Sequence, residues 1–101
     1  MTERQGADRT PPGAAPLLIG VLVTYRRPAE LESTISALAN QSRPPDFLLV
    51  VDNDPERSAE RIAAAHEYLP SGDNLGPAGG LAIGVAAALQ RAGDDDWIIL
   101  L

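Results

Sequence analysis

Apolar positions along this chain form four compact runs, separated by polar or helical segments. The runs LLIGVLVT at residues 17–24 and FLLVV at 47–51 are almost continuously apolar and rich in branched side chains, which is typical of strands covered on both faces. WIILL at 97–101 predicts a further buried strand, and YLP at 68–70 predicts a short one. The pattern therefore predicts a sheet whose strands are mostly buried.

Between these runs, apolar residues recur at the spacing of a helix face. After the first strand, Pro28 suits the first helical position, and Leu31 and Ile35 fall on one face of the helix that follows. Residues 56–68 predict a second helix, and residues 80–92 predict a third that is apolar around most of its circumference. Strands that alternate with helices of this length predict β-α-β units with right-handed crossovers. The predicted fold is α/β, a Rossmann-like parallel sheet with flanking helices.

The start of the chain differs in composition from the rest. Residues 1–16 contain Pro11, Pro12 and Pro16 without a periodic apolar pattern, so they predict a flexible leader before a domain that spans 17–101. This leader lacks the apolar core of a signal peptide, and the longest apolar run falls far short of the roughly 20 residues that cross a bilayer. We therefore expect a cytoplasmic location without a transmembrane segment.

Composition and charge narrow the class of protein. Of the 101 residues, 45% are hydrophobic and 22% are charged, which is ordinary for one globular domain. The formal net charge is -6, all the positive charge is arginine, and no basic run occurs, so a nucleic acid is not expected as a partner. The absence of cysteine excludes disulfides and thiolate metal sites within this sequence.

Polar residues that follow the predicted strands indicate where a ligand would bind. Residues 24–27 follow the first strand, residues 52–54 follow the second, and the glycine-rich loop 71–80 follows the third. Because open α/β sheets bind ligands outside the carboxyl ends of their strands, these segments predict one shared site. The acidic run 93–96 precedes the last strand, so we expect a solvated turn at the opposite end, with Gly93 as a helix C-cap.

The chemistry of these segments suits a nucleotide. Arg27, beside a helix N-terminus, is able to pair with a diphosphate. Asp52, which closes a buried strand, is able to accept a hydrogen bond from a nucleobase imide or a ribose hydroxyl, although a turn-forming role is about as common for a single aspartate. The loop 71–80 lets backbone approach a ligand and opens a helix whose positive end favours phosphate. The glycine spacing does not fit G-x-G-x-x-G, and a P-loop would need a lysine, which this chain lacks.

Four segments in their order, VLVTYRRP, LLVVDND, NLGPAGGLAIGV and WIILL, resemble the nucleotide-binding half of a family 2 glycosyltransferase with the GT-A fold. The resemblance spans about residues 17–101, and the TYRRP and NLGPAGG pieces are most similar to galactofuranosyl- and rhamnosyltransferase-like members. It implies the first half of a GT-A fold, truncated, in an enzyme of cell wall polysaccharide synthesis. The implied reaction transfers a sugar from a UDP- or dTDP-sugar donor to a carbohydrate or lipid-linked acceptor.

The resemblance also implies roles for residues after the first two strands. Thr24 and Tyr25 match a segment that lines the nucleobase pocket, and Arg27 matches an arginine that reaches toward the diphosphate. Asp52 matches the aspartate that holds the uracil or thymine imide. Arg26 falls at a variable position of the motif, so it is a secondary candidate.

Further implied site residues follow the second and third strands. Family members often carry a second acid after the aspartate of the second strand, where this chain has Asn53 followed by Asp54. Asn74, Gly79 and Gly80 match the loop that borders the ribose and the diphosphate. Asp54 therefore joins Asn74 and the two glycines in the implied nucleotide-sugar site.

The resemblance implies a metal for the intact enzyme only. In this family the strand that matches WIILL leads to an Asp-x-Asp element that holds a divalent metal, Mg²⁺ or Mn²⁺, and this sequence stops at Leu101. The run 93–96 precedes the strand and does not replace that element. We therefore expect no catalytic or metal residue in this chain, weak nucleotide binding at best, and no catalysis by the chain alone. Any contact with the membrane is expected to be peripheral, at its inner face, and made by parts of the enzyme other than this chain.

Two other classes of protein stay open at this point. A different Rossmann-like nucleotide-dependent enzyme, such as a sugar-nucleotide oxidoreductase, needs a dinucleotide fingerprint after the first strand, where this chain has TYRRP. A non-enzymatic module of the response-regulator type would use Asp52 as a phosphoacceptor. That module needs an acidic pair after its first strand, where this chain has Arg26 and Arg27.

Overall fold

The computed structural model describes residues 16–101, so the predicted leader, apart from Pro16, lies outside the described residues. The described part forms an α/β fold, which confirms the predicted class. Its regular elements are β1 (Leu18–Thr24), α1 (Pro28–Ala39), β2 (Phe47–Asp52), β3 (Glu67–Pro70), α2 (Gly76–Arg91) and β4 (Trp97–Leu100).

The four strands form one parallel sheet in the order β3-β2-β1-β4. Thr24 pairs with Asp52 and Asp52 pairs with Pro70, so β1, β2 and β3 end level with one another. The chain moves outward from β1 to β3 on one side and then returns to place β4 on the other side of β1. The carboxyl end of β1 is thus the topological switch point, where sheets of this kind form their binding crevice.

β1 and β2 are covered on both faces, since their alternate residues point to opposite sides and a buried cluster lies on each side. One buried cluster includes Leu31 and Leu38 of α1 together with Leu22 and Val50 of the sheet. The cluster on the other face contains Ile19, Val21, Leu49 and Ala88, of which Ala88 belongs to α2. The near-continuous apolar runs of β1 and β2 are explained by this double coverage. The prediction that WIILL is a buried strand is wrong, because β4 lies at the edge of the sheet with Trp97 68% and Leu100 51% exposed.

Helix α2 lies directly against β1 and β2 because it presents glycine to them. A Cβ atom on Gly84 would lie 2.3 Å from Val21 Cγ1, and one on Gly80 would lie 2.6 Å from Val23 Cγ1. The helix begins at Gly76, where φ is +75°, and not at residue 80 as predicted. Gly79 is therefore part of the helix, whereas the sequence placed it in the preceding loop, and Gly80 lies within the helix and not at its start.

The prediction of a helix over residues 56–68 is wrong. The segment between β2 and β3 is a series of hydrogen-bonded turns, in which Arg57 N–H donates to Asp54 O and Glu60 N–H donates to Arg57 O. Arg57 has a φ of +61°, which a right-handed helix does not accommodate. Of the two residues that the helical spacing predicts to point inward, Ile62 packs against the core in part, whereas Ala65 is exposed. The residues of this segment that are buried in the core are Ala59 and Ala63.

The acidic run 93–96 lies at the amino ends of the strands, away from the switch point. The carboxylate of Asp96 accepts hydrogen bonds from the N–H of Leu17 and of Gly93, each at 2.8 Å. Asp96 thus ties the turn before β4 to the start of β1. The C-cap of α2 is Ala92 in an extended conformation, so Gly93 is not the cap that the sequence predicted.

Candidate functional site

A cavity of about 460 Å³ opens at the carboxyl end of β1, between the β1–α1 loop and the start of α2. Its polar lining residues are Thr24, Tyr25, Arg27, Glu30, Thr34, Asn53 and Asn74. Thr24 is the last residue of β1, and Tyr25 and Arg27 belong to the loop before α1. Asn53 directly follows β2. The cavity therefore occupies the switch point that the sheet topology marks.

A second cavity, of about 570 Å³, lies at the opposite end of the sheet. It is bordered by Phe47 at the start of β2 and by His66 and Glu67 at the start of β3. None of the residues that the sequence assigns to the site lies there. Because ligands of open α/β sheets bind at the carboxyl ends of strands, the smaller cavity is the candidate site.

The β1–α1 loop places Tyr25 and Arg27 on the cavity wall and keeps Arg26 off it. Arg26 has a φ of +53°, in the left-handed region that costs a residue with a side chain about 1–2 kcal/mol. Its Nε atom donates to Asp54 Oδ1 at 3.2 Å, and its guanidinium carbon lies 5.2 Å from the centre of the Tyr25 ring. The loop is thus held by an ion pair and a cation–π contact behind the cavity.

Asp52 lies behind the site, not on its wall. The side chain is fully buried, and both carboxylate oxygens accept hydrogen bonds from the chain itself. Oδ1 accepts the N–H of Asp54 at 3.0 Å, whereas Oδ2 accepts the N–H of Ala59 at 3.0 Å and the hydroxyl of Tyr68 at 2.7 Å. Burial and the hydrogen bond to Asp52 raise the pKa of Tyr68 well above its ordinary value. Asp52 therefore fixes the turns that follow β2.

Asp54 is also buried, with 2% of its surface exposed, and it does not line the cavity. Its Oδ1 atom accepts the N–H of Glu56 at 3.0 Å in addition to the Arg26 guanidinium. Hydrogen bonds from the Glu56 N–H, from the Ser58 side chain and from Arg26 lower the pKa of Asp54. The carboxylate is thus held ionised, and it connects the end of β2 to the β1–α1 loop.

Asn53 points to the other face of the sheet and reaches the start of α2. Its Nδ2 atom donates to Gly76 O at 2.9 Å, and its backbone N–H donates to Thr24 O at 2.9 Å. Within residues 16–101, its Oδ1 is a buried side-chain oxygen without a hydrogen-bond partner. Such an atom carries a free-energy penalty until a donor reaches it. Asn53 is therefore a polar residue of the wall with an unused acceptor.

The start of α2 borders the cavity through Gly76 and Pro77. Asn74 Oδ1 accepts the N–H of Gly76 at 3.1 Å, which orders the turn that precedes the helix. The N-cap, Leu75, makes no side-chain capping bond, and the first turn contains no acidic residue. The positive end of the helix dipole therefore lies beside the cavity without a carboxylate from its own first turn.

Gly79 and Gly80 serve the packing of α2. A Cβ atom on Gly79 would lie 2.6 Å from Leu75 Cβ, and one on Gly80 would lie 2.9 Å from Asn53 Nδ2. Neither residue lines the cavity. Substitution of Gly80 would displace the side chain of Asn53, so this glycine acts on the site through its neighbours.

The structure thus divides the predicted residues into two groups. Thr24, Tyr25, Arg27 and Asn74 line the cavity, whereas the two aspartates and the two glycines support it from behind. Asn53, whose role the sequence left open, also lines the cavity. Glu30 and Thr34, which also line the cavity, were missed; their signal is the helical spacing that brings both to one face of α1 after the first strand.

Arg27 places a positive charge on the cavity wall, which also carries the carboxylate of Glu30. The ion pairs within residues 16–101 use Arg26, Arg43, Arg57 and Arg91, and none of them uses Arg27. The side chain is exposed at the N-terminus of α1, and it faces the same cavity as the start of α2. An arginine and a helix N-terminus that share one cavity are suited to an anion such as a diphosphate.

The described residues do not form a metal centre. Between residues 16 and 101, no three His, Cys, Asp or Glu side chains are placed to hold a metal ion together. Glu30 is the only carboxylate residue among the described residues that line the cavity. The carboxylate set that Mg²⁺ or Mn²⁺ needs is thus not present in this part of the chain, so no role at the cavity is derived for a metal.

The family profile described as Glycosyl transferase family 2 matches residues 21–101, which include the second half of β1, every residue that lines the cavity, and β4. The chain belongs to glycosyl transferase family 2. This membership decides against the oxidoreductase and response-regulator alternatives. Within this family 2 glycosyltransferase chain, none of the described helices is long and apolar enough to cross a bilayer.

Curated relatives of this family 2 chain are galactofuranosyltransferases. It is 44% identical over 89 residues to galactofuranosyltransferase GlfT1 of Mycobacterium tuberculosis, in strains CDC 1551 / Oshkosh and H37Rv, with 80% of this chain and 29% of the relative covered. The GlfT1 of Mycolicibacterium smegmatis is 37% identical over 86 residues, covering 81% and 28%. These relatives confirm the predicted galactofuranosyltransferase-like resemblance. The chain spans less than a third of their length, and no solved structure matches it significantly.

Proposed function

We propose that the cavity at the carboxyl end of β1 binds the nucleotide part of a UDP- or dTDP-sugar. In the whole protein, this donor would supply a galactofuranosyl group to a carbohydrate or lipid-linked acceptor. The observation that carries the proposal is the joint placement of Arg27 and the N-terminus of α2 at one cavity in a family 2 glycosyltransferase. The names of the curated relatives support the choice of galactofuranose.

The lining of the cavity supports one orientation of the donor. Tyr25, Leu22 and Leu31 supply aromatic and apolar surface, which suits a nucleobase. Arg27 and the first turn of α2 supply positive charge, which suits the diphosphate. Thr34 and Thr24 supply hydroxyl groups, and Asn74 an amide, for the ribose and phosphate oxygens.

We propose Asn53 as the acceptor of the nucleobase imide N–H, in place of Asp52. Asp52 was assigned this role by resemblance, but both of its oxygens already accept hydrogen bonds from the chain. Asn53 Oδ1 is without such a partner in the described part of the chain, and the residue lies on the cavity wall. Asp52 and Asp54 would then act on the donor through the loops that they hold.

The base preference tests this assignment. We expect UDP and dTDP to bind the chain roughly tenfold more tightly than CDP, because cytosine has no imide N–H to donate to Asn53. The Asn53→Leu variant should bind UDP and CDP with equal affinity. Titrations of all three nucleotides, followed by NMR, measure these ratios. A preference for UDP that persists in Asn53→Leu would contradict the role of Asn53, and no binding of UDP by the wild-type chain would contradict the proposed site.

We propose that a divalent metal, Mg²⁺ or Mn²⁺, is a cofactor of the whole enzyme. For this chain alone, we expect UDP affinity to change by less than about twofold when Mg²⁺ or Mn²⁺ is added, since the described residues lack a carboxylate cluster. Parallel calorimetric titrations with metal and with EDTA measure this difference. A metal-dependent gain of tenfold or more would show that acids of this chain do hold a metal.

The remaining parts of the proposal concern the whole protein. We propose that the chain alone binds the donor without transferring its sugar, a view supported by the single carboxylate residue, Glu30, on the described cavity wall. A cytoplasmic location, with peripheral contact at the inner face of the membrane near a lipid-linked acceptor, completes the proposal. A transfer assay with a radiolabelled donor tests whether the chain alone transfers the sugar. Turnover by this chain would contradict the proposed lack of transfer.

A further inference from the structure

The ion pair between Arg26 and Asp54 lies outside the cavity, yet both sequence neighbours of Arg26 line the cavity wall. We infer that this pair is a latch that positions Tyr25 and Arg27 for nucleotide binding. The expected effect of the latch on nucleotide affinity rests on the proposed function. Arg26 and Asp54 are positioning residues, because neither lines the space that the ligand would fill.

One end of the latch is fixed to the sheet. Asp54 is 2% exposed, and its N–H donates to Asp52 Oδ1 while its own Oδ1 accepts the N–H of Glu56. Asp52 is in turn fully buried at the end of β2. The acid is therefore held in place whether or not an arginine pairs with it.

The other end of the latch holds a backbone conformation that Arg26 would not favour by itself. Its φ of +53° lies in the left-handed region, and its side chain is 53% exposed, so solvent offers the guanidinium an alternative to the pair. The contact with Asp54 opposes the return to negative φ. A change of φ at residue 26 would rotate the segment between β1 and α1, and with it the side chains on either side.

Tyr25 is held by the same guanidinium. Its ring lies 5.2 Å from the Arg26 guanidinium carbon, and the side chain is 38% exposed, so no buried core fixes it. Arg27 opens α1, since its carbonyl oxygen accepts the N–H of Leu31 at 2.9 Å. The latch thus acts between an anchored helix and an anchored strand, on the short loop that carries both proposed ligand contacts.

Arg57 provides a matched control. It also has a positive φ, of +61°, pairs with one acid, Glu60, and lies 5.3 Å from a tyrosine ring, that of Tyr68. It does not line the cavity. Arg57→Ala therefore removes an arginine of the same conformation and the same kinds of contact at a place where no latch is proposed.

The first test measures loop order without any ligand. We expect ¹⁵N relaxation to give order parameters near 0.85 for the amides of residues 25–27 in the wild-type chain, and values below about 0.6 in Arg26→Ala and Asp54→Asn. Asp54→Asn keeps an oxygen that accepts the backbone N–H of Glu56, but it removes the negative charge that pairs with Arg26. Arg26→Lys should retain part of the order, and Arg57→Ala should retain all of it. Rigid loops in both Arg26→Ala and Asp54→Asn would overturn the latch.

The second test measures UDP affinity in the same variants. We expect Arg26→Ala and Asp54→Asn to bind UDP about five- to tenfold more weakly, because the loop must then be ordered at the expense of binding free energy. Arg57→Ala should bind as the wild type does, and Arg26→Lys should fall between. Melting temperatures measured alongside separate this effect from unfolding. Unchanged UDP affinity with a disordered loop would overturn the positioning role.

The two tests also separate this inference from the proposed function. If the wild-type chain does not bind UDP, the proposed function fails, and the order parameters alone decide whether the pair holds the loop. If the wild-type chain binds UDP and the variants bind it equally well, the proposed function stands and the latch fails.

Raised ionic strength should weaken UDP binding less in Arg26→Ala than in the wild type, since the variant has no exposed ion pair to screen.

Discussion

Replacement of Asp52 by alanine is expected to lower the free energy of unfolding by about 3–5 kcal/mol, which is the largest stability effect predicted for this chain. The carboxylate accepts hydrogen bonds from Asp54 N–H, Ala59 N–H and the Tyr68 hydroxyl. Alanine would leave these donors without their acceptor, and each unsatisfied buried donor costs about 1–3 kcal/mol. Since domains of this size are only marginally stable, the variant should be largely unfolded at moderate urea concentrations.

Urea titrations followed by circular dichroism measure this loss, with Asp46→Ala as the control. Asp46 also accepts a backbone N–H, from Leu18, and an arginine, Arg43, but it lies on the surface. Its loss should cost about 1 kcal/mol or less, because solvent replaces exposed partners. Asp52→Asn, which keeps one acceptor oxygen, should lie between the two. A stable Asp52→Ala variant that fails to bind UDP would restore Asp52 as a direct ligand of the nucleobase.

The central strands of the sheet were predictable from the sequence, because a strand that is buried on both faces has an almost continuous apolar run. The runs of β1 and β2 are almost uninterrupted by polar residues, and β4 begins within two residues of a clear turn. The helix predicted over 56–68 failed for a local reason. Its alanines have helical spacing, but Arg57 adopts a positive φ and the Asp52 carboxylate binds the N–H of Ala59. Neither competing interaction is visible in the periodicity.

The place of the site was predictable, whereas the direction of its side chains was not. Any residue after the end of β2 qualifies for the carboxyl edge of the sheet, so Asp52, Asn53 and Asp54 were equally plausible by position. Which of them lines the cavity depends on the face to which each points and on what covers that face. The turns after β2 cover Asp52, Arg26 covers Asp54, and Asn53 is left beside α2 and the cavity.

Asp54 thus stabilises the loop that carries two proposed ligand contacts, and Asp52 supports it by accepting the N–H of Asp54. Asp52 fixes the turns after β2, Asp54 holds Arg26, and Asn53 holds the carbonyl of Gly76 at the start of α2. Asp54 and Asn53 therefore organise two different borders of the cavity, and Asp52 supports the first of them from behind. A loss of binding in any of their variants needs a stability measurement before it is assigned to direct contact.

Arg27→Ala is expected to give the largest loss of nucleotide affinity, about tenfold or more for UDP and for dTDP. A charge-assisted hydrogen bond to a diphosphate is stronger than a neutral one, and no described acid pairs with Arg27 in the free chain. The arginine is exposed at the start of α1, so its removal should leave the melting temperature nearly unchanged. Calorimetric titration of the folded variant measures the affinity.

Uridine, which lacks the diphosphate, separates the possible causes of such a loss. If Arg27 contacts the diphosphate, Arg27→Ala should bind uridine as well as the wild type does, and only UDP affinity should fall. Arg61→Ala, which removes another exposed arginine away from the cavity, should leave both affinities unchanged. Equal losses for uridine and UDP would mean that Arg27 acts on the nucleobase or on the loop, and an unchanged UDP affinity would remove Arg27 from the site. Because the wild-type contact is ionic, its advantage over the variant should shrink as salt is added.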